Sequence, residues 1–184
     1  MTKSADLQTY WTRQLKKGDE TAAAELYRQH ATALYNTLLR LVGEQAEAQD
    51  LLQEVFITAF RKIDSYREEA PFGAWIKRIA LNAGLDHLRR RKVWFESIEE
   101  HHASAEEEEE PEVHYTAAQV HAAIKELPAG SRAVLTLFLL EGYSHQQVAE
   151  ELGITVSTSK TQYRRAKSLV KKRMQEMSYE DGKG

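Results

Sequence analysis

The chain has no cysteine, and only three prolines and nine glycines interrupt its 184 residues. Without thiols it can form no disulfide framework, thiolate metal site or cysteine nucleophile, and this composition is typical of a reducing compartment. Its most apolar run, residues 133–140, is far too short to cross a bilayer, which takes about 20 residues. The first eleven residues also lack the apolar core of a signal peptide. These absences predict a cytoplasmic protein with no membrane contact of its own.

Charges are segregated along the chain, although the net charge is only −3. Residues 93–114 contain nine acidic side chains and no Lys or Arg, whereas residues 157–173 contain seven basic side chains and no acid. Residues 61–92 hold nine basic side chains against four acidic ones. Two basic segments on either side of an acidic one indicate a polyanionic partner that the net charge conceals.

Strand patterns are missing as well, since no segment alternates apolar and polar residues with the β-branched bias of a strand. Together with the charge pattern, this predicts an all-α fold of two small helical domains joined by a flexible acidic linker. We place an N-terminal helical bundle at residues 1–95, the linker at 96–115 and a C-terminal helix-turn-helix domain at 116–184. Each domain is near the lower size limit for independent folding.

The N-terminal half predicts three amphipathic helices. Apolar residues recur on one face over about residues 19–41, where Gly43 ends the helix, and again over about 46–63. The third helix starts near Phe72 and continues into the basic cluster 89–92. These three helices are expected to pack into one module.

The C-terminal half begins with a helix over about 116–127, stopped by Pro128 and Gly130. Ser131 is predicted to cap the next helix, which runs to Gly142.

A helix-turn-helix unit follows. Ser144 and Gln147 fit a capping box that opens a short helix, Gly153 suits the tight turn, and Thr155 can cap the last helix. A second helix of this kind enters the major groove of DNA.

The last helix is predicted to be apolar on one side and basic on the other. Val156, Tyr163, Ala166 and Val170 form the inward stripe, and the opposite surface with its flanks carries Ser157, Lys160, Thr161, Arg164, Arg165 and Lys167. A solvated helix of mixed charge would gain ion pairs at four-residue spacing, which this segment lacks. We therefore favour DNA binding over the alternative of a solvated basic face.

Short segments in both halves of the chain resemble the second and fourth regions of a bacterial RNA polymerase sigma factor of the extracytoplasmic-function group. The resemblance rests on Ala24–Tyr27, Asp50–Phe56, Ile63–Arg67, Phe72–Asn82, Asp86–Arg91, Leu127–Pro128, Glu141–Ser144, Val148–Ile154 and Arg164–Lys167. It implies a promoter-specificity subunit that binds core RNA polymerase, recognises promoter DNA and helps to melt it. It also implies an anti-sigma factor as a partner. For this chain itself it implies no cofactor, no metal and no catalytic residue.

The resemblance implies three sets of contact residues. Asp50, Leu52, Gln53, Glu54 and Phe56 match the surface that grips the largest polymerase subunit, with a core position as the alternative for Leu52 and Phe56. Tyr66, Arg78, Asn82, Arg89, Arg90 and Arg91 match the residues that hold a flipped base and phosphates of the opened minus-ten element. Ser157, Lys160, Thr161, Arg164, Arg165 and Lys167 match contacts to the minus-thirty-five duplex.

Two positions depart from the family pattern. Ser159 stands where an apolar residue is usual, and we expect it to loosen the packing of the last helix. Gln162 stands where a basic residue is common, which alters the expected contacts with the promoter.

Trp75 is expected to be a core residue, with DNA contact as the alternative. The acidic linker matches the segment that passes through the polymerase cleft, with a plain extended spacer as the alternative.

Two other functions compete with this interpretation. A free-standing helix-turn-helix regulator would account for the last helix but not for the residues between 50 and 91. An enzyme could use a metal bound by His101, His102, His114 and His121, but the chain has neither a His-Glu-x-x-His helix nor a glycine-rich phosphate loop. We therefore predict that the protein is not an enzyme.

Overall fold

The computed structural model describes the backbone of residues 2–91 and 116–181, and the side chains of residues 7–91 and 116–177. The described residues form eight α-helices and no strand, which confirms the all-α prediction. The chain divides into two compact units, Met1–Arg91 and Lys92–Gly184. The predicted linker at 96–115, with His101, His102 and His114, lies outside the described residues.

The first unit contains α1 (Thr2–Lys16), α2 (Glu20–Val42), α3 (Gln45–Arg61), a single 3₁₀ turn (Ile63–Ser65) and α4 (Phe72–Arg90). Helices α2, α3 and α4 pack against one another, and α1 lies mainly on α2. Their apolar faces form a core that includes Leu26, Leu38, Leu41, Val55, Phe72, Ile76 and Leu85. The bundle therefore follows from the amphipathic pattern of the sequence.

The ends of α2 have local causes. Asp19 accepts a hydrogen bond from the backbone N–H of Thr21 at the start, and Gly43 adopts a left-handed φ of 86° at the end. A side chain at such a φ would be strained, so glycine suits this stop. Helix α1 was not predicted from the sequence and is an addition to the three expected helices.

The second unit contains α5 (Ala117–Lys125), α6 (Ala129–Leu135), a π-helical continuation of α6 (Thr136–Leu140), α7 (His145–Leu152) and α8 (Val156–Asp181). Helix α8 packs against α5, α6 and α7. Buried Ile124, Leu127, Leu135 and Ala166 form the centre of this packing. The long α8 is thus held by all three shorter helices.

The capping and turn signals predicted for the helix-turn-helix unit are confirmed. Ser144 and Gln147 form a complete capping box at the start of α7, and Gly153 ends it with a left-handed φ of 65°. The Thr155 hydroxyl accepts a hydrogen bond from the N–H of Thr158 at 3.0 Å, which caps α8.

The prediction for Ser131 was wrong. Helix α6 begins at Ala129 after Pro128, and Ser131 lies buried inside the helix. Proline at this boundary carries no N–H and has a φ that allows the helix to begin one turn earlier than a serine cap would.

Candidate polymerase and nucleic-acid interfaces

Helix α3 carries an exposed polar edge. Asp50, Gln53 and Glu54 are all exposed, and Ile57 lies one turn further along the same face, also exposed. Spacings of three, four and seven residues place these four side chains together. We call this set the α3 surface. It joins two acidic groups to an exposed apolar side chain, a combination suited to a protein partner.

Leu52 and Phe56 lie beneath this edge rather than on it. They are only 7% and 3% exposed, and the Phe56 ring packs 4.6 Å from the Tyr27 ring and 5.6 Å from the Phe60 ring. Their position matches the packing alternative considered for them. In this structure they can support the α3 surface by holding the helix in place, while Ile57, whose exposure the sequence did not indicate, provides apolar contact area.

Tyr66 is buried within the connection between α3 and α4. It is 7% exposed, its hydroxyl donates a hydrogen bond to the carbonyl of Ala70 at 2.7 Å, and its ring meets that of Phe72 edge-on at 5.6 Å. Burial, and then the carboxylate of Glu68, raise the pKa of Tyr66 above its ordinary value. A base could stack on this ring only if the surrounding loop moved.

Trp75 belongs to the same aromatic group as Tyr66 and Phe72. Its ring lies 5.3 Å from Tyr66 and 5.6 Å from Phe72, and the side chain is half-buried. This position agrees with the expected packing role, with one part of the indole left at the surface.

The predicted cations of the first unit do not form one cluster. Arg78, Asn82 and Arg89 are exposed and share a face of α4, because they are four and seven residues apart. Arg90 and Arg91 leave this face. Arg91 donates to Glu47 of α3 at 2.6 Å, so it ties two helices together.

The cations also differ in how they are paired. Arg89 forms an ion pair of 3.1 Å with Asp86 on its own helix. In the described part of the chain, Arg78 and Arg90 have no acidic partner within ion-pair distance. Among the predicted residues, Arg78 and Asn82 therefore form the most accessible part for nucleic acid, and we call Arg78, Asn82 and Arg89 the α4 surface.

Helix α8 presents its basic side to solvent. Ser157, Lys160, Arg164 and Lys167 are exposed, whereas Thr161 and Arg165 are half-buried. Lys160, Arg164 and Lys167 form no ion pair with any residue that the structure describes. The Lys167 ammonium lies 5.9 Å from the centre of the Tyr163 ring. We call Ser157, Lys160, Thr161 and Arg164 the α8 basic face.

The inward side of α8 differs from the predicted apolar stripe. Ala166 is buried and Tyr163 and Val170 are half-buried, as expected, but Val156 is exposed. Two polar residues, Ser159 and Gln162, are 0% and 2% exposed instead. Both departures from the family pattern therefore point into the unit.

Each of these buried polar side chains has a partner on another helix. The Ser159 hydroxyl shares a hydrogen bond of 2.9 Å with Nδ1 of His145, and Oε1 of Gln162 accepts one of 2.6 Å from Ser131. At Ser159 the bond to His145 takes the place of the usual apolar contact, and the expected loosening of the packing stays a prediction. These bonds join α8 to α7 and α6, and directional bonds fix the rotation of a helix better than apolar contacts do.

His145 is the centre of a small aromatic group. Its ring stacks on Phe138 at 4.1 Å with an angle of 14° between the planes, and it meets the ring of Tyr163 at 5.7 Å. Burial, and then the charge of Lys160, lower the pKa of His145 below its ordinary value. A neutral imidazole is therefore favoured at this junction of the helix-turn-helix unit.

Within the described residues, no group of three or more His, Asp or Glu side chains could hold a metal ion. No described helix is long and apolar enough to cross a membrane.

Two family models match the chain, Sigma-70 region 2 over residues 26–93 and Sigma-70, region 4 over residues 117–170. The chain is 35% identical over 159 residues to the ECF RNA polymerase sigma factor SigE of Mycolicibacterium smegmatis, covering 82% of this chain and 62% of that protein. It is 34% identical over 153 residues to the ECF RNA polymerase sigma factor SigM of Mycobacterium tuberculosis, covering 82% of this chain and 76% of that protein. The chain belongs to the extracytoplasmic-function RNA polymerase sigma factors.

An extracytoplasmic-function sigma factor is a promoter-specificity subunit of RNA polymerase, and the sequence-based prediction of function is confirmed at this level. Among solved structures, the sigma factor RpoE from Bartonella quintana, in a co-crystal with the anti-sigma factor NepR, has a TM-score of 0.50. It is 22% identical, over 83% of this chain and 96% of that chain, so the likeness bears on the fold alone.

Proposed function

We propose that this sigma factor binds core polymerase through the α3 surface and contacts promoter DNA through the α4 surface and the α8 basic face. The observation that carries the proposal is the α8 basic face. Its cations are exposed, form no ion pair with a described residue, and belong to the second helix of a helix-turn-helix unit. Cations in this state are available for phosphates and for guanine edges.

The role of α3 follows from its mixed chemistry. Asp50 and Glu54 can pair with basic side chains of a partner. Ile57, one turn after Gln53 on the same face, can enter an apolar recess of that partner. Leu52 and Phe56 act from below by keeping α3 in place. The α3 surface would therefore take a partner helix that offers basic side chains opposite Asp50 and Glu54 and an apolar side chain opposite Ile57.

The α4 surface suits single-stranded DNA. Arg78 supplies a cation for phosphate, Asn82 an amide for a base edge, and the half-buried Trp75 an aromatic side chain within the same region. Tyr66 contributes its aromatic ring after a movement of the loop that covers it. Arg89, the third member of this surface, and then Arg90 and Arg91 beyond it extend the positive charge.

The α8 basic face would read duplex DNA at the minus-thirty-five element. Lys160 and Arg164 are the most accessible candidates for base and phosphate contacts, with Ser157 and Thr161 close by. Arg165 and Lys167 lie at the edges. Gln162 is buried, so it shapes the helix position and makes no direct contact with a promoter.

An anti-sigma factor is the second partner that we propose. The Bartonella quintana structure contains one, and a protein that covered the α3 surface would prevent polymerase binding. The sigma factor would act in the cytoplasm, where polymerase and promoters are, and would have no active site of its own. The acidic segment 96–115 would link the two DNA-contacting units.

The test is run-off transcription from genomic fragments, using purified bacterial core polymerase with and without this protein. We expect discrete transcripts that appear only with the protein. A stable complex with core and no transcript from any fragment would contradict promoter recognition. Tight binding of duplex DNA without any complex with core would instead favour the free-standing regulator.

A further inference from the structure

Helix α1 lies outside the segments that match the two family models, which begin at residues 26 and 117. It is nevertheless part of the folded first unit. Thr12 is buried, and Gln8 forms a hydrogen bond of 3.1 Å with Nε2 of His30 on α2. The position of α1 on the bundle is thus set by contacts other than those at its C-terminal end.

That C-terminal end reaches the loop between α3 and α4. Arg13 and Lys16 are three residues apart and share a face of α1. The Lys16 ammonium donates a hydrogen bond of 2.8 Å to the carbonyl oxygen of Tyr66, fifty residues away in sequence, and lies 5.7 Å from the centre of its ring. One lysine therefore holds both the backbone and the ring of Tyr66.

Arg13 holds the next part of the same loop. Its guanidinium forms an ion pair of 3.2 Å with Glu68. Glu68 has a φ of 61° and is the one residue other than glycine with a positive φ in the described part of the chain. A non-glycine residue keeps such a backbone conformation only when its surroundings impose it. Lys16 and Arg13 of α1 thus contact the loop at Tyr66 and at this strained position.

These contacts can fix the position of the loop, but they can add little to the overall free energy of folding. The ion pair is largely exposed, with 64% of the Arg13 side chain accessible, and exposed pairs add little to folding free energy. A loop of few residues, in contrast, has few conformations to choose from, so two anchored points restrict it strongly.

We propose that α1 is a positioning element for the loop of residues 66–71, with Lys16 and Arg13 as the positioning residues. By holding Tyr66 and Glu68, they keep these two positions fixed while residues 69–71, where Ala70 accepts the hydrogen bond of the Tyr66 hydroxyl, move to uncover the ring for an unpaired base of the opened promoter. The proposal rests on the proposed role of Tyr66 and the α4 surface in binding single-stranded DNA. It assigns a role to a segment that the family models leave out.

A matched pair of variants isolates the effect. Lys16→Ala and Lys17→Ala each remove one positive charge at neighbouring positions, and no described residue accepts a hydrogen bond from the Lys17 side chain. Any general loss of attraction for DNA affects both variants equally. A difference between them reports the contact with Tyr66.

The first measurement is hydrogen–deuterium exchange of the full chain without polymerase or DNA. Lys16→Ala should raise exchange of the backbone amides of residues 66–70 about fivefold relative to Lys17→Ala, the effect of losing about one hydrogen bond. Exchange in α2 and α3 should stay unchanged in both variants. Equal exchange of residues 66–70 in the two variants would overturn the proposal, whether or not the protein acts at promoters.

The second measurement is permanganate reactivity of unpaired thymines in a promoter fragment found by run-off transcription, with reconstituted holoenzyme. Lys16→Ala should lower this reactivity several-fold while protection of the upstream duplex stays intact, and Lys17→Ala should behave as the wild type. The reversed ion pair Arg13→Glu with Glu68→Arg should open the promoter better than Arg13→Glu alone. Equal reactivity with Lys16→Ala and Lys17→Ala would contradict the proposal, whereas a wild-type protein that supports no transcript would contradict the proposed function itself.

Discussion

The hydroxyl of Ser131 donates a hydrogen bond to Oε1 of Gln162 across 2.6 Å, and both side chains are buried. The bond joins α6 to α8 over 31 residues of sequence. Together with the bond between His145 and Ser159, it sets how α8 is rotated on the helices beneath it. The outward direction of Lys160 and Arg164 thus depends on polar contacts on the hidden side of the same helix.

Ser131→Ala should destabilise the second unit by about 1 kcal/mol, because it removes one buried hydrogen bond. Urea unfolding followed by circular dichroism would measure this loss. In a Trp94→Phe background the remaining tryptophans, Trp11 and Trp75, both lie in the first unit, so tryptophan fluorescence serves as the internal reference. Ser168→Ala, at an exposed position of α8, is the matched control. An unchanged urea midpoint in Ser131→Ala would show that the bond does not stabilise the unit.

Lys160→Ala or Arg164→Ala should weaken holoenzyme binding to promoter DNA about tenfold and leave core polymerase binding intact, since each removes one exposed cation from the α8 basic face. Fluorescence anisotropy at several salt concentrations would measure the affinity and its salt slope. Lys125→Ala removes one exposed cation from α5 of the same unit and should have little effect. Equal losses in all three variants would indicate general electrostatic attraction in place of a defined contact face.

The double variant Gln53→Ala with Glu54→Ala should weaken the complex with core polymerase about tenfold, because it removes two polar contacts at the centre of the α3 surface. Its DNA contacts through α8 should be unaffected. Glu44→Ala with Gln45→Ala removes the same two residue types from the start of the same helix, where Glu44 makes no capping hydrogen bond. Competition against the wild type for core would rank the variants. Equal competition by the two double variants would place the polymerase contact elsewhere.

The second unit should become less stable as the pH falls below about 6.5. Burial, and then Lys160, hold the pKa of folded His145 below 6.5, its ordinary value, which it regains on unfolding. The unfolded chain therefore binds more protons in the window between the two values, and the free energy of unfolding rises with pH there. The stabilising contribution is complete above pH 6.5 and is lost towards the lowered pKa of the folded state.

Urea midpoints at about pH 7.5 and about pH 5.5, one unit on either side of the ordinary histidine pKa, would measure this dependence. His145→Gln should reduce the difference between the two midpoints, and His121→Gln, at an exposed position of α5, should retain it. A dependence that His145→Gln leaves intact would assign the titration to other groups.

Much of the fold was predictable because its signals are local. Gly43, Gly153, Thr155 and the capping box of Ser144 act within one helical turn of their own position. The apolar periodicity of α2, α3 and α4 likewise needs no knowledge of distant residues. Helix α1 gave no comparable signal, since the contacts that hold its end are with Tyr66 and Glu68, more than fifty positions away in the case of Glu68.

The contact residues were predicted less completely for the same reason. Periodicity places Leu52 and Phe56 on a face, but only the folded structure shows that both are buried, with the Phe56 ring packed between Tyr27 and Phe60. Tyr66 has the right chemistry for a base platform, yet its hydrogen bond to Ala70 and its contact with Phe72 bury it.

The sequence by itself determined the helices other than α1, the caps at Gly43, Ser144, Gly153 and Thr155, the segregation of charge and the family. Only the tertiary structure decided which polar residues turn inward and which loop the first helix holds. From the sequence, Ser159 is a polar residue at an apolar position and Gln162 an altered promoter contact, and only the structure places His145 and Ser131 opposite them. A helical pattern reveals which residues share a face, whereas a buried hydrogen bond needs a partner that the chain brings close only on folding.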